Sequence, residues 1–540
     1  MSRRILAILL ILVVGAFTGC TQGADFLFSN DPPKEEWQSD STVHVPIERL
    51  RSLNPLISKD EDMLHISNLV FDGLFKLDEY MRPQKNLVED YRYNDKSLEI
   101  ELKRNVLWHD GETFSAKDVK FTIEAIIYLA KIKETIYEDY VSAIKNVVLN
   151  NDNPYILTIN FNNNTNVGME NLIFPILPAH QFNKVSDIRN DSNYEMIGTG
   201  KYKLSEYHYL SNLTLVPFEN YHDGKVNNNM CFEIVPDNSF ATNMTKAGEI
   251  TLFFEKNLER ESLLAKQNLQ AINFVSNEIE VIGFNFTNQH LANKQVRQAI
   301  ACAVNLDDIL NTAYYKNGII TDSVYYPNLY TIENMGDQYP YDLEKASMLF
   351  KEAGYEDSDD NGYIENSNNK ELSFEILVSS DNEMRVTAAK MIKENLDKLG
   401  VITKIVFCKT EEYINRVNNG QYDMYIGGYK IDQRFNLKPL LFSGENNLNY
   451  VNPIVSEYLK QIEKSDDLQE RTQHYKRMKN ILIDELPYYC MLYKTYGCFI
   501  TQFFDGEVLP QFHNLYYNCE TWLAKYPEGF IVQLNTFFYE

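Results

Sequence analysis

The sequence predicts an α/β protein containing a parallel sheet, and three observations carry that reading. The first is the stretch from Phe374 to Asp432. Phe374 to Val378 reads as a strand, Val386, Ala389, Ile392 and Leu396 mark one helical face that ends at Gly400, and Val401 to Phe407 reads as a second strand. Thr410, followed by Glu411 and Glu412, caps a short helix stopping near Gly420, and Tyr422 to Ile426 is a third strand. Right-handed crossovers turn such a βαβαβ series into a parallel sheet. Ligands of open parallel sheets sit outside the carboxyl ends of the strands, and Gly427-Gly428-Tyr429-Lys430-Ile431-Asp432 occupies such an end. The second observation is a strand, turn and helix in series. Leu98 to Leu102 alternates, Trp108-His109-Asp110-Gly111 supplies turn chemistry, and a helix starts near Ala116. Ser115 and Asp118 form its capping box, and Val119, Ile123, Ile126 and Ala130 its apolar face. The third is size: 540 residues, 44 % hydrophobic and 24 % charged, bury a large core in two or three domains, which excludes disorder, collagen and coiled coil.

The chain opens with Arg3 and Arg4 before an apolar run from Ile5 to Phe17, too short to span a bilayer of about 30 Å as a helix. It has the layout of a secretory signal, and the rest of a twin-arginine motif is missing. Phe17-Thr18-Gly19-Cys20 resembles the lipobox of bacterial lipoproteins, which implies cleavage before a lipidated Cys20 and departs from the usual pattern only in Phe17. Losing residues 1–19 removes two positive charges and no acid, taking the formal net charge from -25 to -27. Such a charge disfavours nucleic acid as a partner. Residues 20–42 are polar, contain Pro32-Pro33, and read as a tether. Cys231, Cys302, Cys408, Cys490, Cys498 and Cys519 are spaced too widely for a stapled scaffold and are expected at buried apolar positions, with their pairing open.

The motif search finds no catalytic constellation. The nine histidines contain no HExxH and no close pair, and neither a G-x-S-x-G nor a phosphate loop is present. Ser142 to Lys145 and Ser380-Asp381-Asn382 match fragments of the penicillin-binding signature, but its Lys-Thr-Gly is absent. Asp357-Ser358-Asp359-Asp360-Asn361-Gly362 matches the first half of a calcium loop, yet position twelve is Asn368, where a bidentate Glu is required. The expectation there is an acidic helix-to-strand turn. No metal site, no cofactor and no enzymatic activity follow from these patterns.

Several segments, in order, resemble the peptide and nickel class (family five) of extracellular solute-binding proteins, the receptors of ABC importers. They are Leu53-Asn54-Pro55-Leu56, Val70-Phe71-Asp72-Gly73-Leu74, Trp108 to Val119, Gly198-Thr199-Gly200-Lys201-Tyr202, Val296 to Ile300 with Ala303-Val304-Asn305, and Glu352-Ala353-Gly354-Tyr355. The resemblance implies a type II periplasmic-binding-protein fold, α/β, whose two lobes close about a hinge, with an extra subdomain in lobe I. Carried over, lobe I comprises 43–66, 186–278 and 488–540, the extra subdomain 67–185, and lobe II 279–487; residues 524–540 extend past the family's usual end. It further implies a monomeric receptor, lipid-anchored on the outer face of the cell membrane or in a periplasm, that delivers peptides to permease subunits. Peptide-binding members carry Gly-Trp-x-x-Asp, whose Asp binds the peptide's α-ammonium; here Gly428, Tyr429 and Asp432 keep its spacing with Tyr for Trp. Lys430 is a competing partner for Asp432. The alternatives are a receptor of the same fold for a nickel chelate, haem or sugar, and a sensor of signalling peptides without transport.

Overall fold

The computed structural model describes residues 37–40, 42–162, 168–190, 194–236, 244–245, 248–257, 269–465 and 467–527. The signal, Cys20, most of the tether and residues 528–540 lie outside these. The βαβαβ unit is present: strands Ser373–Ser379, Ile402–Cys408 and Met424–Lys430 run parallel, linked by helices Glu383–Lys398 and Thr410–Asn418. One detail differs from the expectation. Thr410 is the first helical residue rather than the cap, and its N–H (3.0 Å) and hydroxyl (2.9 Å) both donate to the Asp381 carboxylate. The neighbouring Asn382 caps the other helix by accepting from the Arg385 N–H at 3.0 Å, and Ser380 donates to the Cys408 carbonyl, so the Ser-Asp-Asn triplet is turn chemistry.

Two long strands, Gln270–Phe284 and Tyr488–Ile500, pair antiparallel along their lengths and set this unit into a larger mixed sheet. Phe274, Cys498 and Ile500 belong to the core of the N-terminal half, while Ile282, Phe284, Met491 and Leu492 belong to the core around the βαβαβ unit. The pair therefore passes from one half to the other. Its register slips between Val275 and Ile279, opposite Tyr493–Thr495. Residues 488–493 pack into the cores of the second half.

The first half holds the sheet Thr42–Ile47, Asn229–Ile234, Asn212–Pro217 and Tyr202–His208, and a four-stranded antiparallel sheet made from Val88–Asn94, Ser97–Leu102, Ile156–Phe161 and Ile144–Leu149. Helix Ala116–Lys131 starts as its sequence requires, with the Asp118 carboxylate accepting from the Ser115 N–H at 2.8 Å. One apolar core runs through both sheets. Within the expected tether, Trp37–Asp40 is instead a strand paired with Leu523–Pro527, tying the two ends of the folded body together. The six cysteines are free and buried.

Three of the segments that carry the family resemblance meet at one junction. The helix Glu61–Val70 ends against the Gly198-Thr199-Gly200 turn; the Gly200 N–H donates to the Val70 carbonyl, and a Cβ on Gly198 would lie 1.7 Å from that same oxygen. His109 is held from both ring nitrogens, Nε2 on the Gly200 carbonyl at 3.0 Å and Nδ1 on the Gly198 N–H at 3.1 Å. Burial lowers its pKa to about 4, so the ring is neutral and can accept at Nδ1 while donating at Nε2. These motifs are joinery, and they shape the floor of the cavity described next.

Candidate functional site

A cavity of about 630 Å³ opens above that junction, within the range of small-ligand sites. Asp72, Lys76 and Tyr137 line one wall, Lys201, Tyr221 and Glu520 another, and Gln433 reaches it from the second half. The charges of the wall are largely matched. Lys76 pairs with Asp223 at 3.1 Å and Lys201 pairs with Glu520. Burial alone would raise the Asp72 pKa, but His222 (3.1 Å), Asn86 (2.9 Å) and Thr199 (3.0 Å) hydrogen-bond its carboxylate and hold it below the ordinary range. A ligand entering here meets aromatic faces and ion-paired side chains, with Lys225 also on the lining.

Asp432 lies two residues past the carboxyl end of strand Met424–Lys430 and immediately before Gln433, which lines this cavity. Its side chain is 37 % exposed, and Arg434 contacts one carboxylate oxygen, Oδ2, from Nε at 3.1 Å and Nη2 at 2.6 Å. The other oxygen, Oδ1, accepts from the Asn436 N–H at 3.2 Å. Lys430, the partner offered by the sequence, turns instead to Glu278, its cross-strand neighbour, at 3.1 Å. Arg434 also reaches Asp139 at 3.4 Å and lies 4.6 Å over the ring of Tyr140. Tyr140 lines both the first cavity and a second of about 420 Å³ in which Arg434 is a wall residue. The Arg434–Tyr140 stack thus partitions the cleft between the halves.

The other two residues expected at the site are placed differently. Gly428 is a sheet position opposite Glu280, where a Cβ would lie 2.5 Å from Arg385 Nη2 and 2.7 Å from the Ile279 carbonyl. Glycine is required there by the buried Glu280–Arg385 pair, 2.7 Å and 3.0 Å. The Tyr429 hydroxyl hydrogen-bonds that of Tyr425 and is 3.4 Å from that of Tyr488, inside the second half. Sequence reasoning missed Arg434 and Tyr140. They lie far apart in the chain, and nothing local announces their contact.

The halves touch at a second place. Arg471, on helix Leu468–Glu485, donates from Nη1 and Nη2 to the two oxygens of Glu170 at 2.9 Å and 2.7 Å, while only 2 % exposed. Burial opposes the charge on Arg471, but Glu170 outweighs it and the guanidinium pKa is raised. Nearby the Tyr330 N–H donates to the Tyr80 carbonyl at 2.9 Å.

Comparison with known proteins decides the family. The bacterial extracellular solute-binding proteins, family 5 (middle), match residues 82–446, more than half of the chain. The chain belongs to this family. The two-lobed α/β architecture is that of its periplasmic binding proteins, and the chain is a solute-binding protein working outside the cytoplasmic membrane. The family is one of binding proteins rather than enzymes. Among relatives of family 5, the oligopeptide-binding protein AppA of Bacillus subtilis (strain 168) is 22 % identical over 488 residues, covering 87 % of this chain and 89 % of AppA. The glutathione-binding protein GsiB of Salmonella choleraesuis is 24 % identical over 461 residues, 81 % of this chain and 86 % of GsiB. The periplasmic murein tripeptide-binding protein MppA, solved in its unliganded open form, aligns with a TM-score of 0.74 at 18 % identity, covering 92 % of this chain and 99 % of MppA.

Proposed function

We propose that this protein captures peptides outside the cell and delivers them to the permease of an ABC importer, held at the membrane by lipid on Cys20. The observation that carries the peptide reading is the Asp432 carboxylate, partly exposed beyond a parallel strand's carboxyl end and one residue before Gln433, which lines the 630 Å³ cavity. Arg434 occupies Oδ2, and Oδ1 accepts a single backbone N–H, so it keeps capacity for a ligand's ammonium. The names of AppA and MppA, oligopeptide- and tripeptide-binding, support the same reading.

In this proposal the paired strands Gln270–Phe284 and Tyr488–Ile500 are the hinge, flexing where their register slips. The protein acts as a monomer, and release of the Arg434–Tyr140 and Arg471–Glu170 contacts opens the cleft. Mass spectrometry of the protein purified from its own cells, then denatured, is expected to release peptides. Release of a nickel chelate, haem or sugar in their place would overturn the assignment. The anchor has its own test: metabolic labelling with a fatty acid should mark the wild type and spare Cys20→Ala, and equal labelling of both would exclude lipidation at that position.

A further inference from the structure

We propose that residues 357–365 of the second half form a calcium site, with Asp357, Asp359 and Glu365 as its side-chain ligands. The twelve-residue spacing of a calcium-binding helix–loop–helix places the last carboxylate at position twelve, where this chain has Asn368. The fold supplies one at position nine instead. Glu356 and Glu365 exchange two backbone hydrogen bonds of 3.1 Å across the base of the loop. That bridge brings the Glu365 carboxylate back to the start of the loop, where ligand oxygens of Asp357, Asp359 and Glu365 all lie within 4.8 Å of one another.

The orphan atom points to a cation. Glu365 is 6 % exposed; its Oε1 accepts from the Ser358 N–H at 2.8 Å and from the Ser358 hydroxyl, while its Oε2 is buried with no hydrogen-bond partner. Glu356, outside the loop, is paired with Lys351, whereas Asp357, Asp359 and Glu365 have no lysine or arginine partner among the described residues. Three carboxylates this close repel one another, and a dehydrated carboxylate oxygen without a partner is costly; a hard divalent cation removes both penalties. The remaining geometry suits it. The Asp357 oxygens accept the N–H groups of Asn361 (3.1 Å) and Gly362 (2.9 Å), and the Asp359 oxygens accept one bond each from Asn361, from its N–H at 3.1 Å and from its side-chain amide at 3.2 Å, which orients these carboxylates and leaves a second lone pair on each oxygen for an ion. Gly362 makes the reversal at φ +90°, a conformation that disfavours any side chain although the space around it is open. The site offers carboxylate oxygens alone, and water can complete a shell of six or more, which favours calcium over zinc.

The loop joins helix Leu343–Glu352 to strand Ser373–Ser379 and leans on the next turn, the Ile364 N–H donating to the Gly400 carbonyl at 3.0 Å. A bound ion would therefore stiffen the end of the second half's core, away from the peptide cleft, and the inference does not depend on the identity of the captured solute. The test is titration calorimetry of the full protein, stripped with EGTA, against calcium chloride, with thermal unfolding recorded beside it. One calcium per chain is expected, with Kd on the order of 10⁻⁴–10⁻³ M as in extracellular modules, and a rise in unfolding midpoint on calcium addition. Glu365→Gln keeps the bonds from Ser358 and Asp359→Asn changes an exposed residue, so both should fold; each is expected to weaken calcium binding at least tenfold and to lose the midpoint rise. No saturable binding up to about ten times the expected Kd, or unchanged affinity in both variants, would overturn the site.

Discussion

Glu170→Ala is expected to cost about 3–5 kcal/mol in the arrangement where the two halves touch, because it strands the buried Arg471 guanidinium. The loss should not appear as simple unfolding. If the halves part, Arg471 regains water, so the variant is expected to open: its radius of gyration in small-angle scattering should exceed that of the wild type, while denaturant unfolding changes less than the full cost. Ligand affinity should fall with it, since a ligand that binds the closed arrangement must then supply the free energy of closure. The double variant Glu170→Ala with Arg471→Met removes both charges and leaves no stranded group, so most of the loss should be recovered. An unchanged radius of gyration and unchanged unfolding in Glu170→Ala would show that this bridge does not hold the halves together.

The parts legible in the sequence are those written in local periodicity. The βαβαβ unit was readable because alternation, helical spacing and the stops at Gly400 and Gly420 agree over fewer than sixty residues, and because Ser115 and Asp118 announce a helix start by their chemistry alone. The helix cap at Thr410 was misread because its carboxylate comes from Asp381 on a different loop. The same reason hid the rest. Lys430 looked like the partner of Asp432 by proximity in the chain, but strand alternation and the cross-strand register deliver it to Glu278, leaving Asp432 to an arginine beyond the strand. Tyr140 under Arg434, and Glu170 against Arg471, are contacts between remote segments with no periodic signal. Trp37–Asp40 lies in a polar stretch whose strand exists only because Leu523–Pro527 is beside it. The acidic loop 357–362 has no acid at position twelve, and the carboxylate that joins it, Glu365, is brought back by backbone pairing with Glu356, which no fixed spacing announces.

Asp432→Asn is the other substitution with a large expected effect. In a closed cleft an ion pair gains strength, but both charges are desolvated, so the net value of the pair is small compared with the cost of deleting one member. Leaving a peptide's ammonium without its carboxylate should cost about 2–5 kcal/mol, roughly 30-fold to several-thousand-fold in affinity. The existing Asp432–Arg434 pair adds a second consequence: in the variant Arg434 loses Asp432 as its partner and retains Asp139 at 3.4 Å, so the free protein should keep its fold and its Tyr140 stack. Acetylating the peptide's N-terminus should weaken wild-type binding by a comparable factor, and the two losses should not add because they remove one pair. Titration calorimetry on this four-way cycle, wild type and Asp432→Asn against free and acetylated forms of a peptide that the protein binds, tests the account most directly. The predicted result is a large loss for either change and little further loss for both; a variant that binds the free peptide as tightly as the wild type, or a wild type indifferent to acetylation, would contradict it.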